Sequence, residues 1–266
     1  MIREETCMSL LDVKQLHHEY GPNNTAIEDV TFTVEDKQFT SIVGPSGCGK
    51  TTLMKSIAGL LDFTSGSVSL LGKPVNDAPE DLAMVFQDYS RSLFPWLRIG
   101  ANVELPLRYR GLSQAERKSR TTESLEAVGL AGKEHLYPWE LSGGMQQRVA
   151  IARALAYQPK IMLMDEPFAS VDAQTRADLE DLVANVHRTL EMTILFVTHD
   201  LDEAVYLSDE VLVLSKSPSH VVERIEVTLP QERDQVLTKQ TTEFVELRTK
   251  VARLIHRAPA QAELVD

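Results

Sequence analysis

The sequence predicts an α/β protein that also contains an antiparallel β part and an inserted helical part. Near-continuous apolar runs at 161–164 and 193–197 are typical of strands that are covered on both faces. A helix predicted over 174–190 separates these two runs, and this strand–helix–strand order favours a parallel sheet. Short strands that follow one another closely before residue 72 indicate an antiparallel layer beside that sheet.

Alternation and turn signals define the antiparallel layer. Residues 10–16 and 29–35 are predicted strands, separated by a Gly-Pro-Asn-Asn turn signal at 21–24. In the second strand apolar residues alternate with threonines, so one face should be buried. Another short strand is predicted around 68–71.

The chain is divided in the prediction into a main domain and a tail. The main domain spans 1–228, with a core and β subdomain at 1–87 and 159–228. Between them, prolines punctuate helical segments, which indicates an inserted helical subdomain at 88–158. The tail, 229–266, contains apolar residues at helical spacing and is predicted to form one amphipathic helix with a frayed end.

Composition limits the class of protein. Hydrophobic residues make up 43% of the 266 residues and charged residues 25%, as in ordinary soluble globular proteins. The net charge of −12 argues against a general nucleic-acid binder, and the basic stretch at 108–120 is interpreted as a solvated helical face. Cys7 and Cys48 are predicted free thiols in a reducing compartment. Neither a membrane span nor a signal peptide is predicted, which indicates a cytoplasmic protein unless a partner holds it at a membrane.

A glycine-rich loop lies between a predicted strand at 39–43 and a predicted helix that begins near residue 53. It matches the pattern G-x-x-x-x-G-K-[ST], in which backbone N–H groups turn inward around the phosphates of a nucleotide. Lys50 supplies a positive charge for the β- and γ-phosphates, and the Thr51 hydroxyl is placed to bind Mg²⁺. The residues predicted to bind ATP or GTP are Gly44, Pro45, Ser46, Gly47, Cys48, Gly49, Lys50, Thr51 and Thr52.

Polar residues end three of the predicted core strands and supply candidate catalytic groups. Asp165 and Glu166 follow the apolar run 161–164, at the carboxyl edge where parallel sheets bind ligands. Asp165 is expected to hold Mg²⁺, directly or through water, and Glu166 to orient or deprotonate the attacking water. His199 ends the next strand and can contact the γ-phosphate or position the water. A third core strand is predicted for the apolar run 82–86; Gln87 ends it, and its amide can bind Mg²⁺ or the attacking water.

A second glycine-bearing turn, Leu-Ser-Gly-Gly-Met-Gln-Gln-Arg at 141–148, opens a predicted helix with Ser142 as its cap. Like the first loop, this turn presents a helix N-terminus that suits a phosphate group. A chain with one phosphate loop has no obvious intramolecular use for a second one. Local chemistry alone therefore assigns the turn no role.

The order of these motifs resembles the nucleotide-binding subunit of ABC transporters, over about residues 9–228. The phosphate loop comes first, and the turn at 141–148, the acidic strand end, Asp172 and His199 follow it. The resemblance implies a P-loop NTPase core, ATPase activity, and ATP and Mg²⁺ as cofactors. It also implies that two such subunits pack head to tail.

The resemblance assigns roles that local patterns leave open. The turn of one subunit is expected to hold the γ-phosphate of the ATP that is bound to the other subunit. The residues that would make this contact in trans are Ser142, Gly143, Gly144 and Gln146. Asp172 resembles the residue of the loop that links the two ATP sites, although the two residues before it depart mildly from the family's usual pair. Tyr20 lies where the family places an aromatic ring that stacks on adenine.

Importer-type subunits of this family resemble the chain most. Residues 199–204 are similar to their switch segment, and residues 89–100 resemble the stretch that receives the coupling helix of a membrane permease. Phe94 and Trp96 are the candidate docking residues in that stretch. The junction at 229–234 is similar to the nitrate, sulfonate, taurine and bicarbonate group. Uptake of a small anion of that class is therefore the predicted function.

The resemblance also implies partners and a location. We expect a second ATP-binding subunit, identical or different, and integral membrane permease subunits. An extracytoplasmic solute-binding protein is expected as well, and no nucleic acid. The chain would be peripheral, at the cytoplasmic face of the inner or plasma membrane.

Three alternatives differ in substrate or class. An importer subunit for an amino acid, a metal or an osmolyte would carry the same ATPase motifs. A soluble ABC ATPase that acts on DNA or ribosomes generally has two cassettes in one chain or a long coiled-coil insert, whereas this sequence has one cassette and a modest insert. A GTP-binding switch predicts a guanine-specificity motif such as N-K-x-D, and the sequence has none.

Overall fold

The structure is a computed structural model, and it describes residues 9–22, 24–88 and 92–257. It contains two compact units. The first is formed by Met1–Pro79 and Thr193–Asp266, and the second by Glu80–Met192. The predicted α/β class is confirmed, since strands and helices are present in both units.

The described elements are as follows in chain order. The strands are β1 (Leu11–Glu19), β2 (Thr25–Val34), β3 (Phe39–Val43), β4 (Ser65–Leu70), β5 (Lys73–Pro74), β6 (Leu82–Val85), β7 (Ile161–Asp165), β8 (Thr193–Val197), β9 (Glu210–Leu214) and β10 (Ser219–Glu226). The α-helices are α1 (Lys50–Ile57), α2 (Ile99–Glu104), α3 (Gln114–Ala127), α4 (Gly143–Ala156), α5 (Ala173–Leu190), α6 (Leu201–Leu207) and α7 (Thr242–Arg257). Short 3₁₀ helices lie at Leu105–Tyr109, Pro138–Glu140 and Thr238–Gln240.

The strands of the first unit follow the order β5-β4-β1-β2-β10-β9-β3-β8. The pairs β1–β2, β1–β4 and β4–β5 are antiparallel, so the predicted antiparallel layer is confirmed. β3 pairs in parallel with both β8 and β9, and all five of its residues are buried. β10 joins the antiparallel strands to the strands around β3, because it pairs in parallel with β2 and antiparallel with β9.

An irregularity in β1 decides which of its side chains are buried. Gln15 has a φ of 48°, in the left-handed region, and the register of β1 with both β2 and β4 shifts across this residue. Leu11 and Val13 before this residue, and Leu16 and His18 after it, are all buried. A β-bulge moves the alternation by one position in this way. His18 consequently occupies a core position on the strand.

Among its described residues, the second unit combines one parallel strand pair with four α-helices of six or more residues. β6 and β7 pair in parallel, with Val85 opposite Met164. α2, α3 and α4 pack on one another, and α4 also contacts α5. Ser113 begins α3 with a capping box: the Glu116 N–H donates to the Ser113 Oγ, and the Ser113 N–H donates to the Glu116 carboxylate.

The tail forms the predicted helix, α7, within the first unit. Phe244 and Val251 are buried, at a spacing of seven residues that places them on one face of the helix. Residues 258–266, for which fraying was predicted, lie outside the described residues. In the described ranges, no helix is both long and apolar enough to cross a membrane.

Several elements differ from the sequence prediction. β2 begins at Thr25, four residues before its predicted start, because its first residues pair with β1 although they lack the alternation of the rest. β10, α2 and α6 were not predicted. β10 has only two buried residues in its span, and α2 and α6 are too short for a helical period to be visible.

Candidate functional site

The glycine-rich loop connects β3 to α1 and folds around the side chain of Lys50. Gly47 and Gly49 have φ values of 75° and 95°, which glycine adopts without the strain that a side chain would bring. The Lys50 ammonium is buried and donates hydrogen bonds to the Gly44 carbonyl at 2.9 Å and to the Pro45 carbonyl at 3.2 Å. The loop therefore encloses a buried positive charge.

The loop also leaves backbone donors available to an anion. A Cβ on Gly44 would lie 2.9 Å from the Cys48 Sγ, and a Cβ on Gly49 would lie 3.1 Å from the Ala26 carbonyl oxygen. Gly49 is the N-cap of α1, and it makes no side-chain cap bond at the start of this helix. A helix N-terminus, glycine backbone and a buried lysine together fit a phosphate chain. Cys48 is buried and is not part of a disulfide, whereas Cys7 lies outside the described residues.

Tyr20 lies beside the first turn of α1. Its hydroxyl and the Thr52 Oγ1 form a hydrogen bond of 2.8 Å, although the two residues are 32 positions apart. The ring is 58% exposed, and the His18 ring contacts it edge to face at a centroid distance of 4.6 Å. The first unit therefore brings together an exposed aromatic ring and the phosphate loop, as base stacking requires.

His199 lies at the edge of the sheet where the phosphate loop begins. β8 runs parallel to β3 with Val197 opposite Ile42, and the Thr198 N–H donates to the Ile42 carbonyl at 3.3 Å. His199 lies two residues after Val197, and Gly44 lies two residues after Ile42, which is the partner of Val197 on β3. The His199 side chain is exposed. The ends of β3 and β8 therefore lie at the same edge of the sheet.

In the second unit the acidic strand end meets Gln87. The parallel pairing of β6 and β7 places both strand ends at one edge, and the Gln87 Nε2 donates to the Glu166 Oε2 at 3.2 Å. Asp165 is buried at the end of β7. Glu166 has a φ of 44°, in the left-handed region that side-chain-bearing residues rarely adopt. Such backbone strain is concentrated at functional sites.

The second glycine-bearing turn begins α4. The Ser142 Oγ accepts from the Met145 N–H at 3.4 Å, and Ser142 and Gly143 are exposed. Gly144 is buried against α5. Gln146 is held by its own segment, because its Nε2 donates to the carbonyls of Pro138 and Leu141 at 2.9 and 3.3 Å. The exposed part of this helix N-terminus is thus formed by Ser142 and Gly143.

Asp172 caps α5, the longest helix of the second unit. Its carboxylate accepts from the Thr175 N–H at 3.0 Å and from the Thr175 hydroxyl at 2.7 Å. The backbone bond to Thr175, followed by the side-chain bond, lowers the pKa of Asp172 below its ordinary value. The carboxylate is exposed and charged at neutral pH.

Phe94 and Trp96 lie near a groove of about 510 Å³ in the second unit. Phe94 lines the groove, and the Trp96 ring packs on the Phe94 ring at a centroid distance of 5.4 Å. Buried Asn102 holds this loop, since its side chain bonds both the N–H and the carbonyl of Phe94. Arg153, also in the groove, donates to the Ser92 carbonyl at 2.6 Å, and burial lowers its pKa. Residues 89–91 of the predicted docking stretch lie outside the described residues.

A comparison with protein-family models matches residues 27–169 to the family described as ABC transporter. This match covers more than half of the chain and includes the phosphate loop and the acidic strand end. The chain belongs to the ABC transporter family.

Curated relatives agree with this assignment. The chain is 42% identical to the taurine import ATP-binding protein TauB of Yersinia pestis, over 84% of this chain and 86% of that protein. It is 43% identical to the nitrate import ATP-binding protein NrtD of Synechocystis, over 79% of this chain and 78% of that protein. Within the ABC transporter family the chain is thus an ATP-binding subunit of the importer type.

A solved ABC structure has the same fold. It is the dimeric, post-hydrolysis state of the ATP-binding cassette MJ0796, bound to ADP and Pi, with 32% sequence identity and a TM-score of 0.71. The match covers 83% of this chain and all of that one. This chain is therefore an ATPase with the fold of P-loop NTPases.

Two residues of this ABC subunit were missed by the sequence analysis. His18 is 6% exposed, and neither of its ring nitrogens has a hydrogen-bond partner among the described residues. Its burial depends on the bulge at Gln15, which no local pattern reveals. Arg233 bonds the end of α6. Its position in the predicted junction at 229–234 was the only signal for it.

Proposed function

We propose that this chain hydrolyses ATP to drive the import of a small solute that carries an oxyanion group, of the nitrate, sulfonate, taurine or bicarbonate class. The identity to taurine and nitrate import subunits, over most of both chains, is the observation that carries this proposal. The alternative is import of an amino acid, a metal or an osmolyte, because the solute is selected by subunits other than this one.

Within the ATP site, the residues of each unit have separate roles. The loop at 44–52 binds the phosphates, with Lys50 as their positive partner, and the ring of Tyr20 stacks on adenine. Thr51, Asp165 and Gln87 are the residues that would hold Mg²⁺, which would neutralise charge on the phosphate oxygens. These donors are hard ligands, which suit this cation.

Glu166 is the proposed acceptor of the proton from the attacking water. Its hydrogen bond from Gln87 orients the carboxylate, which supports this role. His199 contacts the γ-phosphate. Catalysis of this kind depends mainly on positioning and on charge stabilisation.

Two subunits complete each site in this proposal. Ser142, Gly143, Gly144 and Gln146 of a second subunit, identical or different, close on the γ-phosphate. Ser142 and Gly143 are exposed at a helix N-terminus, which supports such a contact. Asp172 lies in the loop that links the two sites.

A permease docks on the helical segment at 88–158, and this segment passes the closure of the dimer to the membrane. The groove lined by Phe94 supports this location, because apolar and aromatic side chains there are open to a partner. The subunit is peripheral at the cytoplasmic face of the inner membrane, and a solute-binding protein delivers the solute. No nucleic acid takes part.

Docking is tested with Phe94→Ala in cells that lack the native chain. We expect the purified variant to hydrolyse ATP normally, while uptake of taurine or nitrate falls and the permease no longer co-purifies. Leu190→Ala is the matched control, since Leu190 is an exposed apolar residue outside both the groove and the segment 88–158. Normal uptake of both solutes in the Phe94 variant would contradict the docking site. If cells without the chain still import both solutes normally, the solute class is wrong.

A further inference from the structure

The tail lies against α6, the short helix that directly follows His199. α6 has seven residues, and α7 and the 3₁₀ helix at Thr238–Gln240 both contact it. A helix of this length is marginal by itself and depends on tertiary contacts for its position. The contacts that the tail makes are therefore important for where α6 lies.

Arg233 closes the C-terminal end of α6. Its Nη1 donates to the Tyr206 carbonyl at 2.6 Å and to the Val205 carbonyl at 3.4 Å, while its Nε donates to the Pro230 carbonyl at 2.9 Å. The last carbonyls of a helix have no partner within the helix, and a cation there interacts favourably with the helix dipole. The Tyr206 hydroxyl donates to the Arg233 carbonyl in return, at 3.2 Å.

Two more tail residues hold α6. At its first turn, the Arg248 guanidinium and the Asp202 carboxylate form an ion pair of 3.4 Å. Near its last turn, the Lys239 ammonium lies over the Tyr206 ring, 4.7 Å from the centroid. The tail thus contacts α6 at both ends.

The residues on either side of His199 are bonded to the first turn of α6. The Thr198 hydroxyl donates to the Glu203 carboxylate at 2.6 Å. Asp200 is the N-cap, and its Oδ1 accepts from the N–H groups of Asp202 and Glu203 at 2.8 and 3.2 Å. A displacement of α6 would consequently move the backbone of His199.

We propose that the tail is a clamp on α6 and that Arg233 is a positioning residue for ATP hydrolysis, acting through His199. Arg233 is separated from His199 by the length of α6, about 10 Å at 1.5 Å per residue. Its effect is on orientation and not on the reacting atoms. The proposal rests on the proposed role of His199 at the γ-phosphate.

Arg233→Met tests the clamp in the full chain, because methionine fills much of the same space without donors. We expect kcat for ATP to fall about tenfold, within the loss that small misplacements cause. The KM for ATP and the affinity of ATP binding should change less than twofold, since the phosphate loop is intact. Arg233→Lys keeps the charge and one donor group and should retain more of kcat. Arg253→Met, on the exposed side of α7, is the matched control and should leave kcat unchanged.

The Arg233→Met substitution in a chain that also carries His199→Ala separates an effect on the position of His199 from a general loss of stability. In a His199→Ala chain, Arg233→Met should cause no further loss of kcat. An equal loss in both backgrounds, or an unchanged kcat in Arg233→Met, overturns the clamp. If the His199→Ala single variant hydrolyses ATP normally, both the role of His199 and the clamp are contradicted. If His199→Ala lowers kcat but Arg233→Met does not, the role of His199 is supported and the clamp is contradicted.

Arg248→Met keeps the clamp testable where Arg233→Met fails to fold. The Arg248–Asp202 ion pair is exposed, so its loss puts little stability at risk. We expect kcat to fall about twofold to threefold with an unchanged KM, and again with no effect in the His199→Ala background. An unchanged kcat in this folded variant contradicts the clamp.

Discussion

Among single residues, Glu166 combines an unusual backbone conformation with a specific partner. Its φ of 44° turns the chain directly after a buried strand, and its carboxylate accepts from Gln87. Neither feature is needed to end a strand. Both orient the carboxylate, which is the requirement for a group that accepts a proton from water.

Glu166→Gln should keep ATP binding and slow hydrolysis about 10²–10⁴-fold, because glutamine has nearly the same shape but no basic oxygen. Single-turnover hydrolysis and equilibrium ATP binding measure the two effects. Glu126→Gln, at an exposed position on α3, serves as the control. Unchanged turnover in the Glu166 variant would remove this residue from the role.

Asp172 links pH to the stability of α5. Its pKa is lowered by the bonds from Thr175, so the charged form is the one that the folded state favours. A lowered pKa stabilises the fold fully above the ordinary value of 3.8, and this contribution is lost as the pH falls through the folded pKa. Acid should therefore weaken the cap.

The comparison of wild type with Asp172→Asn isolates this effect. Asparagine keeps an acceptor oxygen but has no charge to titrate. We expect the wild type to have the higher melting temperature at pH 7, and the difference to shrink below pH 3.8. A difference in thermal unfolding that does not change with pH contradicts the titration of Asp172 as its cause.

Between elements, the approach of α4 to α5 depends on the absence of a side chain at Gly144. A Cβ on Gly144 would lie 2.2 Å from the Thr175 Cγ2, far inside the normal contact distance. The Thr175 methyl cannot turn away without cost, because the hydroxyl of the same side chain donates to Asp172. The turn at 141–148 and the cap of α5 are therefore packed as one assembly.

Gly144→Ala should lower the free energy of unfolding by about 1–3 kcal/mol, as overpacking generally does. Thr175→Ser removes the methyl group and keeps the hydroxyl for Asp172, so it should restore much of this loss in the double variant. Denaturant unfolding of the two single variants and the double variant measures the coupling. Additive losses would mean that the Thr175 methyl is not what Gly144 avoids.

For the whole molecule, the proposed site requires a second subunit. Ser142 has an exposed hydroxyl at the start of α4, where it accepts a long cap bond of 3.4 Å from the Met145 N–H. The phosphate loop, in contrast, has its own lysine and glycine backbone. One subunit should therefore bind ATP but not hydrolyse it alone.

Ser142→Arg should leave ATP binding by the monomer nearly intact and block both ATP-driven dimerisation and turnover, since a bulky cation would occupy the contact surface. Light scattering with and without ATP, together with an ATPase assay, measures the two effects. Ser119→Arg, at an exposed position on α3, controls for added charge. Normal hydrolysis by Ser142→Arg would mean that the loop at 44–52 works alone.

Features that are encoded within short segments could be predicted from the sequence alone. The phosphate loop, the apolar strands β3, β7 and β8, and the helix α5 follow from local spacing, because backbone conformation and burial impose it. The order of these motifs also identified the family. The predicted bounds of β3 and β8 match the structure, and those of β7 and α5 differ from it by one residue.

Contacts between positions that are distant in the sequence could be seen only in the tertiary structure. The hydroxyl of Tyr20 meets Thr52, Gln87 meets Glu166 across 79 positions, and Arg233 bonds the end of α6. Each contact depends on strand register or on the docking of a segment, and no local pattern specifies either. The bulge at Gln15, which buries His18, is of the same kind. Local propensity determines which segments form helices and strands, whereas the packing of the whole unit determines which side chains contact one another.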